Sequence, residues 1–206
     1  LIMVCCFSFI GYSQGIKLSE NAQISVITCG SGNEMYSIFG HTAIRVKDNL
    51  SNLDVVFNYG MFDFNTPNFY VKFLKGDLLY SVGTENFDDF VNYYKQNNRS
   101  VNEQYLNLSA VEKQAVFDKI THQINSSERF YQYKFIDNNC TTKVVDLLNG
   151  VLSKPLETNF EGNEDTKRNI LNSFLPRNYF EKLGINLVFG KNVDAYNEKV
   201  FSPEKL

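Results

Sequence analysis

The sequence predicts an α+β fold. Stretches at 22–29, 42–47 and 54–59 alternate apolar and polar residues as half-buried strands do. Stretches at 109–125 and 140–149 repeat apolar residues with helical spacing. The two kinds are interleaved around largely antiparallel pairs, with no internal repeat, low-complexity tract or second domain. At 206 residues, 43% of them apolar, the chain can bury a core without metal or disulfide staples. A net charge of -3 and no dense run of Lys and Arg give no footprint for nucleic acid, which is excluded as a partner.

Residues 1–14 are apolar apart from Ser8, Ser13 and Gln14, and are too short to span a bilayer. They read as the core of a secretory signal whose basic start and initiator Met are missing, with cleavage near Ser13 or Gln14. Residues 15–206 are then one exported domain. Cys5 and Cys6 go with the signal, since Leu-Ile-Met-Val before them lacks the small residues of a lipid-attachment site. Cys29 and Cys140 remain, and export to an oxidising compartment makes a Cys29–Cys140 disulfide the main structural alternative to a reactive thiol.

The first strand, 22–29, ends at Gly30-Ser-Gly32, and 34–39 is a helical turn broken by Gly40. The strand 42–47 carries β-branched Ile44 and Val46 and runs into an Asp-Asn-Leu-Ser-Asn turn. The strand 54–59 returns as a hairpin and closes at Gly60, which brings Asn58 near His41 at the start of its neighbour. An aromatic loop, 61–67, leads to a short helix at 68–75 stopped by Gly76, a strand at 78–82, and a helix at 88–96 with Phe90, Val91 and Tyr94 on one face. A strand at 101–108 precedes Ser109-Ala-Val-Glu112, a capping box that starts a helix to about 125 with Val111, Ala115, Val116, Ile120 and Ile124 inward. His122 falls between those positions and reads as a solvated histidine. Helices at 166–175 and 178–183, a short strand at 185–189 and a polar end complete the chain.

The chemistry concentrates at 135–148, Phe-Ile-Asp-Asn-Asn-Cys-Thr-Thr-Lys-Val-Val-Asp-Leu-Leu. Asn139 as N-cap puts Cys140 on the first helical turn, where unpaired N–H groups and the helix dipole lower a thiol pKa. A lone Cys on a helix is more often a small core residue. The other histidine of the chain, His41, supplies the partner: it follows Gly40 at a strand edge, and a thiol facing a strand-borne imidazole oriented by a third polar group is the arrangement of papain-like enzymes. No metal-ligand spacing is present, and no cofactor is expected.

The order His, Asn, Cys is reversed from papain and resembles the circularly permuted NlpC/P60-like fold, which includes the lecithin:retinol acyltransferase-type enzymes. Gly40-His-Thr-Ala-Ile-Arg-Val46, Val55-Val-Phe-Asn58 and Asn139-Cys-Thr-Thr-Lys-Val-Val145 are similar to its three motifs. Further stretches, Thr28-Cys-Gly-Ser-Gly32, Phe57-Asn-Tyr-Gly-Met-Phe-Asp-Phe64, Phe73-Leu-Lys-Gly-Asp-Leu-Leu-Tyr80, Glu103-Gln-Tyr-Leu-Asn-Leu108 and Asp137-Asn-Asn-Cys-Thr-Thr142, resemble the N-terminal periplasmic domain of the Lnb-type lipoprotein N-acyltransferases of Bacteroides and relatives. The resemblance covers about 24–148.

It implies a thiol-dependent acyl transfer in the periplasm or at the periplasmic face of the inner membrane, from a glycerolipid-type ester to the N-terminal amine of a lipoprotein. Cys140 would be the nucleophile, His41 the base and Asn58 the group that orients it, with Glu34, Asn139 and Tyr80 as possible neighbours. Tyr131 and Tyr133 are weaker candidates for an oxyanion hydroxyl than the N–H groups at the helix start. Proteins of this kind carry membrane-spanning helices after the domain, and none follows Ile16 here, so the chain reads as a fragment or as a relative without the membrane half. Two alternatives use the same residues differently: a cysteine peptidase or amidase on cell-wall peptide, or a non-catalytic secreted binding domain held by the Cys29–Cys140 bridge.

Overall fold

The computed structural model describes residues 15–34, 36–156, 166–175, 179–196, 200, 202 and 203. The apolar leader at 1–14, with Cys5 and Cys6, and the polar loop at 157–165 lie outside them. Six strands, β1 (Gln23–Cys29), β2 (His41–Asp48), β3 (Leu53–Met61), β4 (Leu79–Asn86), β5 (Val101–Tyr105) and β6 (Phe130–Gln132), form one sheet in the order β5-β1-β2-β3-β4-β6. Every neighbouring pair is antiparallel. With helices α1 (Phe69–Lys75), α2 (Phe87–Gln96), α3 (Ala110–Ile124), α4 (Cys140–Asn149), α5 (Lys167–Ser173) and α6 (Tyr179–Phe189), the fold is α+β, as the sequence predicts.

Alternation along the strands sorts side chains onto two faces. Ile24, Val26, Ile44, Val46 and Phe57 pack against Val116, Phe117 and Ile120 of α3 and Val144, Leu147 and Leu148 of α4, forming the main core. The opposite face is smaller: Ile27, Cys29, Ala43 and Val56 meet Phe90 and Tyr94 of α2. Each strand of the central hairpin is therefore covered on both sides, which fixes its register because a slip of one residue would exchange the two faces.

A polar ladder crosses the α2 face. Arg45 pairs both guanidinium edges, Nε and Nη2 with the Asp54 carboxylate at 2.7 Å each, and Nη1 with both Glu103 oxygens at 3.0 Å. Ser25 donates to Glu103 at 2.5 Å, and the Phe87 ring lies 3.3 Å from the Arg45 guanidinium carbon. Four strands are thus joined through one buried cation paired with two carboxylates. The arginine of the Gly-His-Thr-Ala-Ile-Arg motif is a structural residue.

Several boundaries differ from those the sequence suggests. Strand β4 runs past Val82 to Asn86, because Val55, Val56 and Phe57 of β3 supply partners for polar residues that carry no alternating pattern of their own. Strand β5 stops at Tyr105 rather than 108, and the Tyr-rich stretch contributes the short edge strand β6. Residues 185–189 are not a strand but the second half of α6, which passes through Gly184. A lone glycine costs a helix only about 1 kcal/mol, and nothing lies within 4 Å of where a Gly184 Cβ would stand. Val111, expected inward, is 79% exposed; Phe117 takes the core position instead. The capping box of Ser109 and Glu112 is present, and His122 lies exposed near Glu128. Among the described residues no helix is long and apolar enough to cross a membrane.

Candidate active site

Cys140 is the first residue of α4, and its position is set by the cap before it. The Asn139 side chain accepts from the Thr142 N–H at 2.9 Å, while the Thr142 hydroxyl accepts from the Asn139 N–H at 2.8 Å. The Asn139 amide also donates to the Phe135 carbonyl at 2.7 Å, tying the incoming chain to the helix. This reciprocal cap leaves the Cys140 and Thr141 N–H groups of the first turn outside it. Thr141 meets Thr42 of β2, hydroxyl to hydroxyl, at 3.0 Å, so the helix start is anchored beside the start of β2.

His41 opens β2, directly after Gly40. Gly40 has φ +78°, and a Cβ there would stand 2.6 Å from the Cys29 carbonyl, so the turn delivering His41 needs glycine. Asn58 lies opposite Ala43, two residues along from His41 on the same face. Between Asn58 and Met61 the β3–β4 register slips by one residue, a bulge that contains Gly60. The bulge re-aims Asn58: its Oδ1 accepts from the Gly60 N–H at 2.7 Å and contacts His41 Nε2 at 2.7 Å. Its Nδ2 donates to Glu85 Oε1 at 2.6 Å. Both ends of the amide are thereby identified by their partners, and an oxygen facing Nε2 can only accept.

The electrostatics follow. Burial alone would push the Cys140 thiol up; the charge of His41, a hydrogen bond with it, the Thr42 N–H and the Thr141 hydroxyl outweigh burial and hold the thiol below its ordinary value. For His41, burial works against the proton, but the Cys140 charge and bonds to Cys140 and Asn58 raise its pKa. Each shift favours the charged form of its group, which is the direction a thiolate–imidazolium pair requires. Cys29 is the contrast: burial pushes its thiol up to about 12, against a weaker hydrogen bond with Tyr94. Both cysteines are free thiols, so the bridge between them is not formed.

A cavity of about 310 Å³ opens over Cys140 and His41. Its aromatic wall comes from the turn before Gly40, the loop after β3, β4 and the stretch between β6 and α4. Tyr80 and Tyr133 stack at 4.3 Å, Phe62 packs on Tyr80 at 5.0 Å, and Phe39 meets Phe135 edge-on at 4.3 Å. The Ser202 hydroxyl is buried in the wall without a partner among the described residues. Among those residues no group of His, Cys, Asp and Glu side chains gathers to hold a metal ion.

The family model of the Lnb N-terminal periplasmic domain matches residues 15–173, a span that contains His41, Asn58 and Cys140. The chain belongs to this family. It is accordingly an exported, periplasmic domain. No curated protein and no solved structure matches the chain significantly.

The structure of this Lnb domain brings together Cys140, His41, Asn58, Asn139 and Tyr80 at one cavity. Glu34 is exposed on the turn before Gly40 and is not among the residues lining it; its neighbour Tyr36 is. Tyr133 lines the cavity, whereas the Tyr131 hydroxyl is spent on the Tyr59 carbonyl. Glu85 and Arg99, both at the cavity, were not singled out by sequence reasoning. Glu85 lies on the part of β4 that pattern did not extend to. The signal that finds it is register: on a strand paired with β3, a residue two beyond the partner of Asn58 points to the same face.

Proposed function

We propose that this domain is a thiol-dependent acyltransferase that moves an acyl chain from a glycerolipid-type ester to the N-terminal amine of a bacterial lipoprotein. The observation carrying it is a Cys140 thiol held below its ordinary pKa by His41, opening into a cavity walled by aromatic rings. The Cys140 thiolate attacks the ester carbonyl while the Cys140 and Thr141 N–H groups face the developing oxyanion. The tetrahedral intermediate collapses to a thioester, and the His41 imidazolium gives its Nδ1 proton to the departing glyceryl oxygen. An amine then attacks the thioester, Nδ1 takes its proton, and the thiolate leaves with an amide formed. The aromatic wall excludes water that would hydrolyse the thioester.

The chain order His41, Asn58, Cys140, with the thiol on a helix start against an antiparallel sheet, supports a circularly permuted NlpC/P60-like fold. An aromatic cavity supports acyl transfer over cleavage of cell-wall peptide, whose polar backbone needs partners in an open groove. Action at the periplasmic face of the inner membrane, where lipid and lipoprotein meet, belongs to the same reading.

The test is incubation of the protein with phospholipid vesicles, followed by peptide mass spectrometry. An acyl adduct on Cys140 that is removed by hydroxylamine, absent in Cys140→Ser and slowed in His41→Ala, is the expected result. No adduct with any ester, or Cys140 labelling that ignores His41, sinks the proposal.

A further inference from the structure

The cavity is lined from both faces of the sheet. Tyr80 and Phe135 belong to the core on the α3 and α4 side, Tyr94 to the smaller core under α2, and all three line the cavity. His41, Cys140 and Arg99 all line this one cavity, with Tyr93 and Tyr94 beside Arg99 on the α2 side.

Arg99 is held as a fixed fork. Its Nε donates to the Gly30 carbonyl at 2.8 Å, and its guanidinium carbon lies 4.5 Å over the Tyr94 ring. Gly32 leaves room for its stem, since a Cβ there would stand 3.2 Å from Arg99 Cδ. Among the described residues its two Nη groups have no ion pair and no hydrogen bond. This sets it apart from Arg45, saturated by Asp54 and Glu103, and from Arg168, paired with Asp194. Glu85, the carboxylate at the cavity, is already engaged by Asn58. A guanidinium with one edge fixed and the other open toward a cavity matches the bidentate geometry of a phosphate.

We infer that Arg99 is the anion subsite for the phosphate of the acyl donor, so that the donor is a glycerophospholipid rather than a neutral glyceride. This rests on the acyl-transfer reading for what occupies the cavity. With a chain among the rings and the ester carbonyl at Cys140, the phosphate lies one glycerol away, and Arg99 is the guanidinium that the same cavity wall offers it.

The experiment measures protection of Cys140 from iodoacetamide by dodecyl phosphate, by dodecanol and by inorganic phosphate, below micelle formation. The wild-type protein should be protected by dodecyl phosphate at about tenfold lower concentration than by dodecanol, a preference lost in Arg99→Gln and partly kept in Arg99→Lys. Dodecanol protection should be the same in all three, which also shows that the variants are folded. Equal protection by the phosphate and the alcohol in wild type, or an unchanged preference in Arg99→Gln, overturns the subsite. Protection by inorganic phosphate as strong as by dodecyl phosphate overturns the lipid assignment. Arg99-dependent protection without any acyl adduct on Cys140 would keep the subsite and remove the acyl-transfer reading. An adduct with no Arg99 dependence would do the reverse.

Discussion

His41 Nε2 meets Asn58 Oδ1 at 2.7 Å, and because that oxygen can only accept, the neutral imidazole carries its proton on Nε2. Nδ1 is then the nitrogen left to take the proton of Cys140. The amide cannot turn over without cost, since Gly60 donates to the same oxygen and Glu85 accepts from the nitrogen. A bulge and a neighbouring strand together fix a tautomer.

Asn58→Ala should lower acyl transfer about ten- to a hundredfold, the loss expected for one hydrogen bond to a charged group. It should also move the pH midpoint of Cys140 alkylation upward, because the Asn58 bond helps to hold the imidazolium. Unchanged alkylation across pH in this variant would mean that Asn58 only fills space.

On the proposed mechanism Glu85, which accepts from the Asn58 amide, acts through Asn58 as a positioning residue. Glu85→Ala should reduce kcat several-fold with KM unchanged, and Asn58→Ala/Glu85→Ala should be no slower than Asn58→Ala alone. Additive losses in the double variant would show that Glu85 touches the substrate independently. Glu85→Gln retains an acceptor for the Asn58 amide and should stay close to wild type.

Gly60→Ala tests the bulge directly. A Cβ there would stand 2.6 Å from His41 Cε1 and 3.0 Å from Asn58 Oδ1, so the imidazole must move. Loss of Cys140 activation with a nearly unchanged melting temperature is the expected outcome. A fully active Gly60→Ala would show that the ring has room to spare.

The pair sets a pH window. The Cys140 pKa is lowered, so the thiolate is already formed below the range of an ordinary thiol; the His41 pKa is raised, so the imidazolium persists above the range of an ordinary imidazole. Acyl transfer should rise through the first and fall above the second, giving a bell. Iodoacetamide at neutral pH should label Cys140 and spare Cys29, whose thiol burial pushes up to about 12. Cys29→Ser should leave the profile of Cys140 unmoved.

Asp48 is a stability device remote from the site. It accepts from the Ser19 N–H at 2.8 Å, the Ser19 hydroxyl at 2.7 Å and the Leu50 N–H at 3.1 Å, clamping the chain that leads into β1. These bonds lower its pKa from 3.8 to about 2. A depressed carboxylate contributes stability that is complete above 3.8 and lost as pH falls toward 2. Asp48→Asn should cost about 1–3 kcal/mol at neutral pH, and its melting temperature should converge with that of wild type in acid. Parallel curves down to the acid limit would remove Asp48 as the cause.

Much of this was legible in the sequence by itself. Alternation at 22–29, 42–47 and 54–59 determined three strands and a hairpin, because a two-residue period is what a two-faced sheet imposes. Asn139 before Cys140, and Gly40 before His41, fixed the ends of elements through backbone chemistry local to a few residues, and with them the places of the thiol and the imidazole. Only the tertiary structure decided what depends on pairing. Glu85 sits on four strand residues held by β3 rather than by their own propensity, and Asn58 is aimed by a bulge. Arg45 and Arg99 differ in role solely through what surrounds them: one meets two carboxylates, the other a carbonyl, a ring and an open cavity. A side chain's type and local spacing are written in the chain, but its partners come from residues far along it, and partners decide whether a charge is structural or free to act.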